Sequence, residues 1–428
     1  MFPRNSALRS ASCRRYATLF SAMLAAGSSP AADAKFGPRP GAALSAAKLA
    51  PIEGFIIGEI AAGHIPGAVV LVQQHGQPVY LKAFGKRDVN AGVPMTLDTI
   101  FPIHSVTKTI TSVAAMLLVD RGKIALDDPV SKYIPSFADT KVGVERKDES
   151  GKPVLDLVPP RRPVNVEDLL LHTSGITYGF YGEGLVKVAY QGIYLGDFDN
   201  AGFAERIARL PLAEQPRTLW DYGHSADVLG RVIEVASGQS LYQFEKQNLL
   251  DPLGMTTTKF FLTDPEERAR YAQPLDKDRH VERNSLDVTR WESGGGGMVS
   301  TIGDFARYGQ MLLDGGRLDG KTYLSPATFA AMTTDHIGPG SGVARTYFYF
   351  PGDGFGFGYG FGIRTDPGNA VPPPPGSLGE IKWDGATGSY IVVDRAEDMF
   401  FVVMQDSPSG RIHVITTVKK IIYAAFEN

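Results

Sequence analysis

Ser105 and Lys108 stand three residues apart in the stretch Ile-His-Ser-Val-Thr-Lys-Thr-Ile-Thr-Ser-Val-Ala-Ala-Met-Leu-Leu, residues 103–118. A helix that begins at Ser105 puts positions i and i+3 on one face, so the hydroxyl and the ammonium lie within about one turn of each other. A serine at a helix start also has unpaired backbone N–H groups and the positive end of the peptide dipoles beside it, which favours a developing negative charge. Together these features suit acyl transfer through a serine ester, in which a base must take the hydroxyl proton because a free serine is a weak nucleophile. The spacing alone is common, and Ser45-Ala46-Ala47-Lys48 repeats it in an Ala-rich stretch with nothing glycine-rich or aromatic around it. Ser105 differs in its approach: Thr99-Ile100-Phe101-Pro102-Ile103 is an apolar run whose proline halts any helix just before the serine.

Other chemistries find few residues to carry them. The eight histidines include no His-x-x-x-His pair and no cluster with acidic residues, so no metal site is expected. The single cysteine, Cys13, leaves no thiol nucleophile or disulfide in the remainder of the chain, and no cofactor is called for. A net charge of −3 without a basic stripe argues against a nucleic-acid partner, and no apolar run is long enough to span a membrane. Gly223-His224-Ser225-Ala226-Asp227 begins like a nucleophile elbow, but Asp227 stands where glycine is needed for close strand–helix packing, and no strongly apolar strand precedes it.

The elements that must position Ser105 follow from periodicity. Residues 1–34 read as an export signal, with Arg4, Arg9, Arg14 and Arg15 before a short apolar core and Ala32-Asp33-Ala34 as a cleavage site; a periplasmic or secreted location is expected, with a cytoplasmic one as the alternative. A helix is predicted over 50–62, then a hairpin of strands 67–72 and 79–84 turning at His75-Gly76-Gln77. Asp127-Asp128-Pro129 opens a short helix, 147–163 is a charged excursion, 167–172 is helical, and 178–200 is a long Gly- and Tyr-rich loop suited to lining a cleft. Helices are predicted over 226–236, 241–250 and 302–313, the last preceded by the glycine run 294–297. Phe355, Phe357, Tyr359 and Phe361 alternate with glycines, which puts all four on one face of a strand. Strands at 389–393 and 399–404 and a helix over 412–426 close the chain. Strands at both ends with helices between imply an α/β fold: an antiparallel sheet flanked by helices, built from 35–118 and 352–428, with a mostly helical domain, 119–351, inserted.

With these pieces in order, the chain resembles the serine β-lactamase and penicillin-binding-protein superfamily, and within it the class C-like branch that includes the family VIII carboxylesterases. The segments that carry the resemblance are Ser105-Val106-Thr107-Lys108, Leu126-Asp127-Asp128-Pro129-Val130, His172-Thr173-Ser174-Gly175, Trp220-Asp221-Tyr222-Gly223-His224-Ser225 at the Tyr-x-Asn position, the run from Gly295 to Thr301, and Trp383-Asp384-Gly385-Ala386-Thr387-Gly388 at the Lys-Thr-Gly position. The resemblance implies a β-lactamase-like fold, Ser105 as nucleophile, and Lys108 and Tyr222 as the pair that moves its proton. Which of the two holds the charge before attack is a coupled titration. It further implies an oxyanion hole from the backbone N–H groups of Ser105 and Ala386, and a substrate-binding surface of Trp383, Asp384, Gly385 and His224. Two departures bear on substrate. His224 replaces the asparagine and Trp383 the lysine, which removes a charge-assisted contact to a substrate carboxylate, about 1.5–3 kcal/mol. The expectation is therefore a serine carboxylesterase for short-chain neutral esters with weak cephalosporin hydrolysis; the alternatives are a class C-like β-lactamase or D-peptidase and a non-catalytic penicillin-binding-like protein.

Overall fold

Alternation at period two runs through the strands near both chain ends, and it sorts their side chains onto two different apolar cores. The computed structural model describes residues 42–281, 285–346 and 348–427; the expected leader lies outside them. Numbering the elements that build or position the site, the chain runs α1 (Pro51–Ala61), β1 (Gly67–Gln74), β2 (Gln77–Asp88), β3 (Val93–Pro94), α2 (Thr107–Asp120), α3 (Ser225–Ser237), α4 (Ile302–Leu313), β4 (Phe355–Phe357), β5 (Gly362–Arg364), β6 (Ile381–Asp384), β7 (Tyr390–Asp394), β8 (Met399–Gln405) and α5 (Arg411–Ala424). The strands form one antiparallel sheet in the order β4-β5-β6-β7-β8-β1-β2-β3, so the two chain ends meet where β8 pairs with β1, Val70 opposite Val403. That is the β-lactamase-like arrangement expected from the sequence.

Val69, Leu71, Ile391, Val393, Phe400 and Val402 face the helical side and pack with α2 and α4. Val70, Val72, Tyr390, Val392, Phe401 and Val403 face the other way, under Ile52 and Ile56 of α1 and Val414, Val418 and Ile422 of α5. Helix α2 is buried from Thr107 to Leu118, which is why, Lys108 apart, that stretch is apolar or hydroxyl-bearing all round rather than amphipathic. Its threonines are committed: Tyr308 of α4 donates to Thr109 Oγ1 at 3.1 Å, and Thr111 donates to the Gly294 carbonyl at 3.0 Å.

Three local expectations are corrected. The charged excursion over 147–163 holds the second strand of a β-hairpin, Val142–Lys147 against Pro153–Val158, whose side chains are nearly all exposed or half-buried and so carry no clear apolar alternation. The four aromatics do not share one strand face, because the chain reverses at Gly358–Gly360 so that β4 and β5 pair; Gly360 has φ +89°, and a side chain at Gly358 would strike the Met332 carbonyl. Phe357, Tyr359 and Phe361 enter the core beside α2, while Phe355 lies under Arg364, Lys382 and Lys419. Finally, Asp127-Asp128-Pro129 leads into a single 3-10 turn, Val130–Lys132.

Candidate active site

Ser105 sits in a 3-10 turn, His104–Val106, that runs directly into α2 at Thr107, two residues later than the simplest reading of the sequence. The turn is pinned on both sides. Phe101–Pro102 pairs with Val299–Ser300, and the Ile103 N–H donates to the Met298 carbonyl at 3.0 Å. The hydroxyls of Thr387 and Ser389 both donate to the Pro102 carbonyl, at 3.1 and 3.3 Å. These bonds bring the turn after β6, Gly385 to Gly388, alongside the serine. Gly385 has to be glycine there, because a Cβ would lie 2.3 Å from the Ile103 oxygen.

Lys108, one helical turn on, is fully buried, and its Nζ donates to Ser105 Oγ at 3.3 Å, to Tyr178 Oη at 3.1 Å and to the Gly295 carbonyl. Desolvation pulls its pKa down to about 8, and the buried Asp227 carboxylate partly opposes that fall. The Lys108 ammonium also lies 4.7 Å from the centre of the Tyr222 ring. Tyr222 Oη is buried without a hydrogen bond of ordinary geometry, yet the Ser105 hydroxyl and the Trp383 indole are near enough to favour its ionised form; burial outweighs both and holds the phenol pKa far above its usual value. Tyr178 is likewise raised by burial, so both phenols are protonated at neutral pH and the amine is the group that titrates.

The geometry is that of a buried amine in contact with a half-buried serine at a helix start. Residues 52–415 match the profile of the family described as Beta-lactamase. The chain belongs to the beta-lactamase family. Protein Rv1367c of Mycobacterium tuberculosis is 37% identical over 350 residues, 80% of this chain and 86% of that protein. Esterase EstB of Burkholderia gladioli is 38% identical over 212 residues, 49% of this chain and 50% of its own length. Among solved structures, EstCE1, described as a hydrolase with promiscuous acyltransferase activity, superposes with a TM-score of 0.72 at 26% identity, covering 88% of this chain and 99% of its own.

In this beta-lactamase-family chain the structure brings Ser105, Lys108, Tyr222, Trp383 and the Gly385–Ala386 turn together. It does not bring the rest of the expected substrate surface with them. His224 is 1% exposed with both ring nitrogens engaged, Nδ1 at 3.0 Å from Asp227 Oδ2 and Nε2 at 3.1 Å from Tyr194 Oη, so it is a structural tie rather than a cleft-lining group. Asp384 lies on the opposite face of β6 from Trp383, where it accepts from Tyr349 Oη at 3.1 Å and pairs with Arg411 at 3.3 Å. Ser225, the serine of the elbow-like pentapeptide, is fully buried and shares a hydrogen bond with Ser174 at 2.9 Å.

Three further residues complete the site. Tyr178, from the aromatic loop, binds Lys108. Asp227, in the first turn of α3, accepts from Ser293 Oγ at 2.5 Å and from the Gly295 N–H at 3.1 Å, so the same peptide segment that receives the Lys108 amine is tied to a carboxylate. A side chain at Gly295 would overlap that carboxylate, which explains the glycine at this position. Tyr349 stacks on Tyr222 with ring centres 4.9 Å apart and planes 5° from parallel.

Proposed function

We propose that this chain is a serine ester hydrolase with acyl-transfer capacity, acting on short-chain neutral carboxylic esters through an acyl-Ser105 intermediate. The observation that carries the reading is the contact between Ser105 Oγ and a buried lysine whose pKa is lowered to about 8. The neutral Lys108 amine accepts the Ser105 proton as Oγ bonds to the ester carbonyl carbon, and the carbonyl π electrons move to oxygen. The N–H groups of Ser105 and Ala386 stabilise that oxyanion. As the tetrahedral adduct collapses, the ester C–O bond breaks, Tyr222 gives its proton to the departing alkoxide, and the Lys108 ammonium returns one to Tyr222. Water, or a second alcohol, then attacks the acyl group by the same proton path in reverse.

The relatives support this reading: EstB is named an esterase, and EstCE1 a hydrolase with acyltransferase activity. Substrate preference is argued from Trp383, an indole where a carboxylate-anchoring lysine is expected in the lactamases, beside aromatic Tyr222, Tyr349 and Phe357. Anionic lactams lose an ionic contact, so cephalosporin turnover is a minor activity. The experiment is p-nitrophenyl acetate to octanoate beside nitrocefin, with wild type and Ser105→Ala. Ester turnover should exceed nitrocefin turnover and fall by about 10³-fold or more in the variant, and intact-mass analysis after phosphonate treatment should find one adduct on wild type and none on Ser105→Ala. Full activity in Ser105→Ala overturns the nucleophile; nitrocefin turnover matching the esters makes the protein a β-lactamase.

A further inference from the structure

Strand β6 separates two environments. Trp383 turns its ring to Tyr222 and Phe357, with centre separations of 5.6 and 5.3 Å, on the catalytic side. Its neighbours Lys382 and Asp384 lie on the other face with Tyr390, beneath the first turns of α5. There the strand, α5 and residues 348–351 line a half-open cavity of about 450 Å³, with Phe348, Phe350 and Ile415 on its apolar part, Lys382, Arg411 and Asp384 as its charged groups, and Trp383 bordering it from the catalytic side. A hollow of this size, apolar on one part and charged on another, suits a small molecule with both kinds of group.

The charges around it are unequally satisfied. Asp384 is taken by Arg411 and Tyr349, and Glu380 by Lys419 and, at 2.9 Å, by the Tyr423 hydroxyl. Lys382 has no ion pair or hydrogen bond among the described residues; its Nζ lies 3.9 Å from the centre of the Phe355 ring. Burial and the neighbouring Lys419 charge pull this amine down to about 7, against the attraction of Glu380 and Asp384. An amine drawn by Glu380 and Asp384 but in direct contact with neither thus borders the hollow, and a carboxylate is the group that would meet it directly.

One residue joins this cavity to the catalytic face. Tyr349 lines the cavity, its hydroxyl reaches Asp384 and Arg411, and its ring stacks on Tyr222. Its φ of +60° is unusual for a non-glycine residue and persists only where partners on both sides hold it.

We propose that this cavity binds a small carboxylate with an apolar body, the carboxylate on the Lys382 amine and the body against Phe348, Phe350 and Ile415, and that occupancy is felt at Tyr222 through Tyr349. The binding half is independent of the hydrolase reading; the coupling half rests on it. Calorimetric titration with octanoate at pH 6.5, using Ser105→Ala protein, tests the first. Octanoate should bind at least tenfold more tightly than 1-octanol, and adding Lys382→Met should weaken it at least tenfold while Lys382→Arg keeps it within threefold. Lys382→Gln is the second neutral variant should the methionine protein fail to fold, as judged by circular dichroism. Octanol binding as tightly as octanoate, or octanoate binding untouched by both neutral variants, overturns the site. For the coupling, saturating octanoate should change the kcat for p-nitrophenyl acetate at least twofold in wild type and not in Lys382→Met. Purely competitive inhibition of equal strength in both proteins places the acid in the acyl pocket instead and overturns it. Octanoate binding that survives while Ser105→Ala retains full esterase activity separates failure of the hydrolase reading from failure of this one.

Discussion

At the scale of the residue, the decisive quantity is the proton on Lys108. Burial strips its ammonium of water, while the Asp227 carboxylate favours keeping the charge, and the balance leaves a pKa of about 8. In the proposed mechanism attack by Ser105 needs the neutral amine, so kcat/KM for a neutral ester should rise with pH through about 8 and then level, a profile measurable with p-nitrophenyl butyrate. Replacing Lys108 with Arg removes the titration altogether, since a guanidinium stays protonated, and activity should fall by about 10³-fold or more at every pH. Asp227→Asn makes a sharper test. The amide can still meet Ser293 and the Gly295 N–H, but it no longer stabilises the ammonium, so the Lys108 pKa falls further and the rising limb moves to lower pH. A limb that stays in place shows that Asp227 does not reach the lysine electrically.

At the scale of the element, the site is a meeting of three chain segments that are far apart in sequence: the turn before α2, the α3 start, and the β6–β7 turn. Gly385 is where the third meets the first. Gly385→Ala forces a Cβ to within 2.3 Å of the Ile103 oxygen, so the turn bearing Ala386 must back away from Ser105. A displacement of that kind should lower kcat about 10²-fold with a smaller change in KM, checked by steady-state kinetics beside a thermal melt. The same segments explain what could be read from sequence. Ser105 and Lys108 were legible because their relation is local, fixed by helical spacing, and the sheet was legible because strands such as β1 and β8 are continuous apolar runs. Tyr178 was not, since it arrives from a loop without periodicity, and Asp227 was hidden because a helix-start aspartate ordinarily faces solvent. Phe355 to Phe361 misled for the opposite reason: its alternation is that of a strand, but its glycines allow a reversal that the apolar pattern cannot register.

At the scale of the whole molecule, the helical side of the sheet carries the candidate site and α1 and α5 close the other side. The last helix is fastened to the sheet by charge as well as by Val414, Val418 and Ile422: Lys419 pairs with Glu380, and Tyr423 reaches Glu380 and, at 2.6 Å, Asp394. Glu380 is completely buried and Lys419 nearly so. Two buried charges that neutralise each other add little net stability, but removing one strands the other in a medium that solvates it poorly. Glu380→Gln should therefore cost about 3 kcal/mol in urea unfolding, whereas the double variant Glu380→Gln with Lys419→Met, which removes both charges, should recover most of that loss. The sign of the coupling is the test. If the double variant is as unstable as the sum of the single ones, the pair does not act as a unit, and the hold of α5 on the sheet comes from its apolar face alone.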